Sequence, residues 1–334
     1  MKKTTLIVIA IWLMSSSAMA QVTYAKPEEI KLIKKRPLIV ELLELDPKNI
    51  EKWEKKKTKS KKPKVVERYS EMIIEYTQFV EDYNNYIKIA VEKHWDLNAK
   101  IEYKTFSEVK KLRKSSKTHA VLWFSESSSS YSDEYGFKYF PNLTIPTLNY
   151  SRIEKGQVKV DYSFFIPYTG SREKNEIMLG DLLISLKLMK LHLSEIEKLG
   201  EKKYNFKKFA TAKAKENCSK ATGKKLKLPK NLIQKNANIA EFNTAYKSGD
   251  VTMCTDEVVM KAIESEDDVI IGFTIPYSIA AGSMGPLSMA RILFFRSFIH
   301  IKSGDIVTAK GVAMGEYNDS FYRKKEFTTY GVCK

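Results

Sequence analysis

Several signals that would identify a particular chemistry are scarce or missing in this sequence. It has 3 cysteines and 4 histidines in 334 residues, and no two cysteines are close enough for a C-x-x-C motif. The nucleophile elbow G-x-S-x-G and the dinucleotide-binding pattern G-x-G-x-x-G are also missing. These absences argue against a CxxC metal or redox site and against a Rossmann cofactor site. We assign no cofactor.

Long apolar runs are missing as well, apart from a short one at the start. Residues 6–14 are apolar, against the ~20 residues that a membrane-spanning helix needs. Two lysines precede this run and Ala18-Met-Ala follows it, a pattern typical of a cleaved bacterial secretory signal. We predict cleavage before Gln21 and a periplasmic or extracellular protein without a transmembrane segment; a membrane anchor is the alternative.

Acidic residues are in short supply. The chain has 40 Asp and Glu against 57 Lys and Arg, a net charge of +17. Such an excess favours a partner rich in negative charge, such as nucleic acid, lipid phosphate or an acidic protein. Many lysines alternate with glutamates, as in 51–57, which is typical of solvated helix faces. Given the export signal, we expect an anionic envelope component or another envelope protein as partner, and no nucleic acid.

Two apolar runs organise the chain. His119–Ser125 and Asp268–Thr274 lie about 150 residues apart, and both have the continuous apolar character of strands covered on two faces. The elements around them follow the same order, which is strand, helix, strand, short helix, apolar strand, loop and hairpin. This agreement in order and spacing predicts a duplication.

The individual elements are predicted from periodicity. The first half has strands at 36–43, 101–105, 119–125, 144–153 and 157–165, helices at 65–94 and 178–199, and a short helix with Ser107 as N-cap. The second half has strands at 225–228, 251–255, 268–274, 291–302 and 305–310, a helix at 238–246 and a short helix from Asp256. Residues 48–64 hold nine lysines around Trp53 and are predicted as an exposed helix followed by a linker.

We therefore predict an α/β protein, a tandem duplication of a Rossmann-like α/β sandwich unit. Each unit has a parallel sheet extended by an antiparallel hairpin at one edge. The predicted boundaries are 1–20 for the signal, 21–199 for the first unit with its lysine-rich excursion at 48–64, 200–224 for a lysine-rich linker and 225–334 for the second unit.

The candidate binding residues follow the two apolar strands. Ligands of open α/β sheets bind beyond the carboxyl ends of the strands, where we predict loops at 125–136 and 276–285. The candidates are Ser125, Glu126, Asp133, Ser278 and Ser283. No catalytic residue is assigned, because the four histidines are far apart in sequence. No metal ligand is assigned either, since the acidic pairs lack the spacing of a calcium loop.

The cysteines all lie in the second half. Cys218 and Cys333 flank the second unit, and we propose a possible disulfide between them. Cys254 lies in a predicted strand and is expected to be a buried, inert thiol.

Two functions remain open at this point. The first is a non-enzymatic exported protein of the bacterial cell envelope that binds or scaffolds a ligand of unknown identity. The alternative is a secreted hydrolase with its site between the loops that follow 119–125 and 268–274. That alternative requires side chains such as Glu126, His119 and Asp133 to converge on one pocket.

Overall fold

A computed structural model describes most of the chain. The described residues are 19–21, 27–113, 119–128, 139–145, 162–167, 176–198, 206–233, 238–246, 249–284, 287–311 and 322. The strands are β1 (Met19–Gln21), β2 (Leu38–Leu42), β3 (Ile101–Thr105), β4 (Ala120–Ser128), β5 (Tyr139–Ile145), β6 (Tyr162–Phe165), β7 (Leu226–Pro229), β8 (Val251–Cys254), β9 (Ile270–Met284), β10 (Leu287–His300) and β11 (Asp305–Gly311). The helices are α1 (Pro27–Lys35), α2 (Pro47–Lys59), α3 (Pro63–His94), α4 (Phe106–Arg113), α5 (Leu179–Lys198), α6 (Phe206–Asn217), α7 (Ile239–Ala245) and α8 (Asp256–Glu264).

The strands form two sheets with the same arrangement. The first sheet has the order β3-β2-β4-β5-β6 and the second contains β8-β7-β9-β10-β11. In each, the first three strands are parallel and the last two continue the sheet in antiparallel fashion. The predicted α/β class, with parallel strands extended by an antiparallel hairpin, is confirmed. Descent by duplication stays a prediction, since shared strand order alone does not establish a common origin.

The short strand β1 joins the second sheet. Met19 lies opposite Ala280, and Gln21 lies opposite Ser278, in antiparallel pairing with β9. Cleavage at the predicted signal site would leave only Gln21 of this strand. Export therefore stays a prediction, and its consequence for β1 can be checked at the protein's N-terminus.

The two strands that contain the apolar runs, β4 and β9, are longer than predicted. The loop predicted at 276–285 is wrong over 276–284, because β9 continues through these residues and pairs with β10 up to Met284 and Leu287. Pro276 is tolerated because the register shifts beside it, and proline is accommodated at such bulges. In the first half, β4 extends into the serine run as far as Ser128, where it pairs with Tyr139 of β5. The loop predicted at 125–136 is therefore wrong over 126–128.

Helix α5 lies at the centre of the molecule. Twelve of its twenty residues are buried, and it packs against α1, α3 and α8. The main core cluster contains Leu122 of the first sheet and Phe273 of the second together with Leu186 of α5. The two halves therefore share one hydrophobic core, in which α5 is buried on several sides.

The described part of the predicted linker at 200–224 is helical. Helix α6 packs against β11, and Phe209, Ala210 and Ala214 join the main core. These apolar residues are spaced at one and four positions among the lysines, which gives the helix one face to bury. The lysine-rich composition of this segment predicts a linker, because it does not show which face of the helix is buried.

Candidate functional site

The residues predicted to bind a ligand do not form one loop cluster. Ser125 and Glu126 lie within β4, whereas Ser278 and Ser283 lie within β9 of the other sheet. Asp133 and the side chains of Glu126, Ser278 and Ser283 lie outside the described residues. A site made of these five side chains therefore stays a prediction.

The carboxyl end of the first parallel sheet is occupied by the protein's own acidic groups. The Ser107 N–H donates to Oε2 of Glu44 at 2.7 Å, and hydrogen bonds from Ser107 lower the pKa of Glu44. The Thr105 N–H donates to Oε2 of Glu108 at 2.8 Å, and the Glu108 N–H donates to Oγ1 of Thr105 at 3.5 Å. This is a capping box. The predicted N-cap at Ser107 is therefore wrong, and Thr105 caps α4 instead.

The second sheet shows a similar arrangement at the carboxyl ends of its parallel strands. Asn231, which follows β7, donates from Nδ2 to Oδ2 of Asp256 at 3.0 Å, and Asp256 opens α8. The Thr255 hydroxyl lowers the pKa of Glu257, the next residue of the helix. Helix N-termini attract anions, but here carboxylates already occupy that position in both sheets. This arrangement disfavours a phosphate-bearing ligand such as a nucleotide at these two helix starts.

A serine, a histidine and an aspartate lie in a row at the opposite end of the second sheet, near the amino ends of its parallel strands. Nδ1 of His300 is 2.9 Å from Oγ of Ser303, and Nε2 is 2.7 Å from Oδ1 of Asp268. Ion pairing with Lys224 and the hydrogen bond from His300 lower the pKa of Asp268 to about 2. The distances match those of a nucleophile, a base and its orienting group.

The hydrogen-bond directions do not suit catalysis. Ser303 donates its hydroxyl proton to Oδ2 of Asp305 at 2.6 Å, so His300 Nδ1 meets the lone pairs of Ser303 rather than its proton. The N–H of Gly304 donates to the His300 carbonyl at 2.8 Å, and the N–H of Asp305 donates to Ser303 Oγ at 3.3 Å. Both amides that follow the serine are thus engaged within the turn instead of facing an oxyanion. The row of residues closes the turn between β10 and β11.

Lys187 of α5 stabilises the same turn by hydrogen bonds. Its Nζ donates to Oε1 of Glu266 and to the carbonyls of Ile301 and Lys302, each at 2.8 Å. These three bonds use all three protons of the ammonium group. They join the central helix to two turns at one end of the second sheet, the turn before β9 and the turn after β10. The strands predicted at 291–302 and 305–310 meet in this turn, where Gly304 has a φ of 75°.

Among the described residues, neither the cysteines nor the acidic side chains form a second candidate site. Cys218 is disulfide-bonded and Cys254 is a free, buried thiol whose pKa is raised by burial. Cys333 lies outside the described residues, so its pairing with Cys218 stays a prediction. No group of three or more metal-ligating side chains occurs in the described part of the chain. Within the same residues, no helix combines the length and the apolar character needed to cross a membrane.

A basic helical hairpin, residues 47–78, is the most distinctive surface of the protein. It consists of α2 and the first turns of α3. Asp46 caps α2 by accepting from the Lys48 N–H at 3.0 Å, and Pro47 begins the helix. The predicted exposed helix is confirmed, and it has no buried residue. Trp53 holds it to α3 by an edge-to-face contact with Tyr76, with ring centroids 5.6 Å apart.

The solvent face of α2 carries a straight row of lysines. Lys48, Lys52, Lys55 and Lys59 recur at intervals of three and four residues, which places them on one helix face, and all four are exposed. None of them forms an ion pair among the residues that the structure describes. We call these four residues the lysine row. Its length is about 16 Å at 1.5 Å per residue.

More lysines gather at the tip of the hairpin. Seven of the ten residues from Lys55 to Lys64 are lysines, and α3 begins within this segment at Pro63. Lys57 pairs with Glu54 at 2.9 Å, and Nζ of Lys56 lies 5.4 Å from the ring centroid of Tyr69. The tip therefore carries a dense positive charge that the hairpin itself compensates only in part.

The fold defines a mixed α/β protein with two similarly ordered sheets and a projecting basic hairpin. No family model, no curated protein and no solved structure matches the chain.

Proposed function

We propose that this chain is an exported, non-enzymatic binding protein of the bacterial cell envelope that attaches through its basic hairpin to the phosphate groups of an anionic lipid surface. The lysine row carries this proposal, because it presents four exposed ammonium groups along one straight helix face. The hydrogen-bond directions around Ser303, which disfavour a nucleophilic serine, add support to a binding role.

The hairpin stands clear of the rest of the protein. The first buried residue of α3 is Phe79, so about 24 Å of helix separates the core from Pro63 at the tip. The Debye length is about 8 Å at physiological ionic strength. Charges on the body are therefore largely screened at the tip, and the field there depends on the hairpin's own lysines.

The shape of the charged surface favours a flat partner over a small ligand. The row is straight, its members are spaced by about 4.5 to 6 Å along the helix, and each lysine reaches solvent on its own. Lysines near an anionic bilayer contribute about 1 kcal/mol each, so four to seven of them give reversible, salt-sensitive attachment. A duplex nucleic acid also offers closely spaced phosphates, but an exported protein would not ordinarily meet it.

Vesicle co-sedimentation tests the proposal. We expect binding to phosphatidylglycerol-containing vesicles at about 50 mM salt, weak binding at about 300 mM salt, and none to phosphatidylcholine alone. The test variant changes four hairpin lysines to glutamine: Lys52, Lys55, Lys59 and Lys62. The control variant makes the same change at four exposed lysines elsewhere: Lys88, Lys110, Lys215 and Lys261.

The test variant should lose about tenfold or more in vesicle affinity, and the control should lose much less. Equal losses in both variants would mean that net charge alone drives binding, and would overturn the assignment to the hairpin. Tight binding to duplex DNA without binding to vesicles would replace the lipid proposal by a nucleic-acid one.

Export is tested separately. Fractionation of bacteria that express the full chain should place the protein outside the cytoplasm, and its intact mass should correspond to a chain that begins at Gln21. A cytoplasmic protein that retains Met19 and Ala20 in β1 would contradict the proposed location.

A further inference from the structure

The second helix of the hairpin has the opposite charge on its solvent face. Glu67, Glu71 and Glu75 recur every four residues along α3 and are exposed. None of them forms an ion pair within the described residues. Ile74, beside them, is 67% exposed, the largest value among the exposed large hydrophobic side chains of the described residues. We call the three glutamates the glutamate row.

The two rows are turned away from one another. Helices α2 and α3 face each other through Trp53 and Tyr76. Glu67 and Tyr76 are nine residues apart, which is two and a half helical turns and therefore opposite sides of α3. The lysine row likewise lies on the exposed side of α2, away from Trp53. The lysine row and the glutamate row thus lie on different sides of the hairpin, and neither row lies against the other within one molecule. The side with the glutamates also carries the exposed Lys64 and Arg68.

Like charges four residues apart on a helix are destabilising by a few tenths of a kcal/mol per pair. The glutamate row contains two such pairs, Glu67 with Glu71 and Glu71 with Glu75, and the lysine row contains the pairs Lys48–Lys52 and Lys55–Lys59. Oppositely charged neighbours on the same helices, such as Glu51 four residues before Lys55 and Arg68 three residues before Glu71, offset part of this repulsion. An oppositely charged surface would remove the rest in both rows. Each row therefore has the charge and the spacing that the other requires.

We propose that two copies of this chain associate hairpin to hairpin, with the glutamate row of one copy against the lysine row of the next. The glutamates are spaced by about 6 Å and the lysines by about 4.5 to 6 Å, and the two rows are about 12 Å and 16 Å long. Three acid–base pairs therefore form within about 1.5 Å of exact register. The exposed Ile74 lies within the contact and loses water there.

This contact is heterologous, because it joins two different surfaces. Each copy in a pair still offers one unused row, so association continues into a linear array instead of stopping at a closed dimer. Individual exposed ion pairs are weak, so the array forms at low salt and high protein concentration and dissolves as salt rises. Anionic vesicles compete for the lysine row and should dissolve it too.

Sedimentation velocity over a range of protein concentrations tests the proposal with charge-swapped variants. One variant changes the glutamate row to lysine: Glu67→Lys, Glu71→Lys and Glu75→Lys. The other changes part of the lysine row to glutamate: Lys52→Glu, Lys55→Glu and Lys59→Glu. A control variant makes the second type of change away from the hairpin: Lys88→Glu, Lys110→Glu and Lys215→Glu.

The wild-type sedimentation coefficient should rise with concentration at low salt and stay constant at high salt. Each swapped variant alone should remain monomeric, an equimolar mixture of the two should associate, and so should a variant that carries both swaps. The control should associate at least as strongly as wild type, because its net charge falls from +17 while both rows are kept.

The change in net charge of the variants distinguishes pairing of the two rows from general electrostatic repulsion between molecules. Changing the lysine row to glutamate also lowers the net positive charge, so repulsion alone predicts stronger association, whereas pairing of the rows predicts none. A constant sedimentation coefficient for wild type at low salt, or association of either single variant, overturns the proposal. The outcome is independent of the proposed function, since the variant without the glutamate row keeps its lysines and should still bind vesicles.

Discussion

His192 makes the stability of this protein sensitive to mild acid. It lies on α5 and is 1% exposed. The ring of Phe164 approaches it at 5.1 Å between centroids and that of Phe209 at 4.8 Å, both nearly edge-on. Burial disfavours the charged imidazolium and lowers the pKa of His192 from 6.5 to about 3. The folded protein therefore holds this side chain neutral at every pH that is ordinarily used.

The sign and the size of the effect follow from proton linkage. The unfolded chain binds a proton at His192 below pH 6.5, whereas the folded chain does so only near pH 3. Stability is thus fully present above pH 6.5, falls as the pH decreases, and reaches its lower limit near pH 3. At pH 5 the loss attributable to His192 is about 2 kcal/mol, at about 1.4 kcal/mol for each pH unit below 6.5.

Urea unfolding at pH 7.5 and pH 5.0 measures this loss. At pH 5 most carboxylates stay ionised; Asp268, whose pKa is lowered from 3.8 to about 2, contributes stability that disappears only below about pH 4. His94 contributes in the same direction as His192, because burial lowers its pKa to about 4. The difference between wild type and a His192→Leu variant isolates the single residue.

The stability of His192→Leu should fall between the two pH values by about 2 kcal/mol less than that of wild type. A His94→Leu variant measures the second histidine by the same comparison. If wild type and His192→Leu lost the same stability between pH 7.5 and 5.0, the buried neutral state of His192 would be refuted.

Tyr83→Phe should leave the free energy of unfolding unchanged or raise it by about 1 kcal/mol, because the buried Tyr83 hydroxyl lacks a hydrogen-bond partner within the described residues; a clear loss in urea titration would contradict this. Lys187→Met should lower stability by about 2–4 kcal/mol, since it removes three hydrogen bonds from two turns, and a loss near zero would show that the junction is dispensable. Ser303→Ala should cost no more than about 1 kcal/mol, and a fluorophosphonate probe should fail to label Ser303 in the wild type. Non-reducing peptide mapping should recover Cys218 joined to Cys333, and Cys218→Ser should lose about 3–5 kcal/mol, because the bond would close a loop of more than a hundred residues; a free Cys218 thiol would exclude the pairing.

Elements with strong local signals are predictable from this sequence. The periodicity over 65–94 and 178–199 corresponds to α3 and α5, and the apolar runs at 119 and 268 correspond to β4 and β9. The lysine-rich segment 48–64 is predicted as an exposed helix followed by a linker, and α2 confirms the helix. These successes depend on repeat spacing within a short segment, which the sequence contains in full.

Other features depended on residues far away in the sequence. The small-residue run at 276–284 resembles a loop, and it is a strand because β10 pairs with it along its whole length. The capping role of Thr105 depends on Glu108 turning back to its N–H, a capping box whose spacing could have revealed it. The row of Ser303, His300 and Asp268 had no sequence signal, since Asp268 precedes β9 and lies 32 residues before His300, whereas His300 and Ser303 belong to the turn between β10 and β11.

The sequence by itself determined the order of strands β2 to β11, the helices α3 and α5 and the charge pattern of the hairpin, because these follow from the spacing of side chains along a helix or strand. Only the tertiary structure decided that α5 is shared by both halves and that His192 is buried between two rings. It also decided that acidic groups occupy the helix starts at the carboxyl ends of both parallel sheets. Burial and pairing depend on which distant surfaces meet, and that choice is made by the free energy of the whole chain.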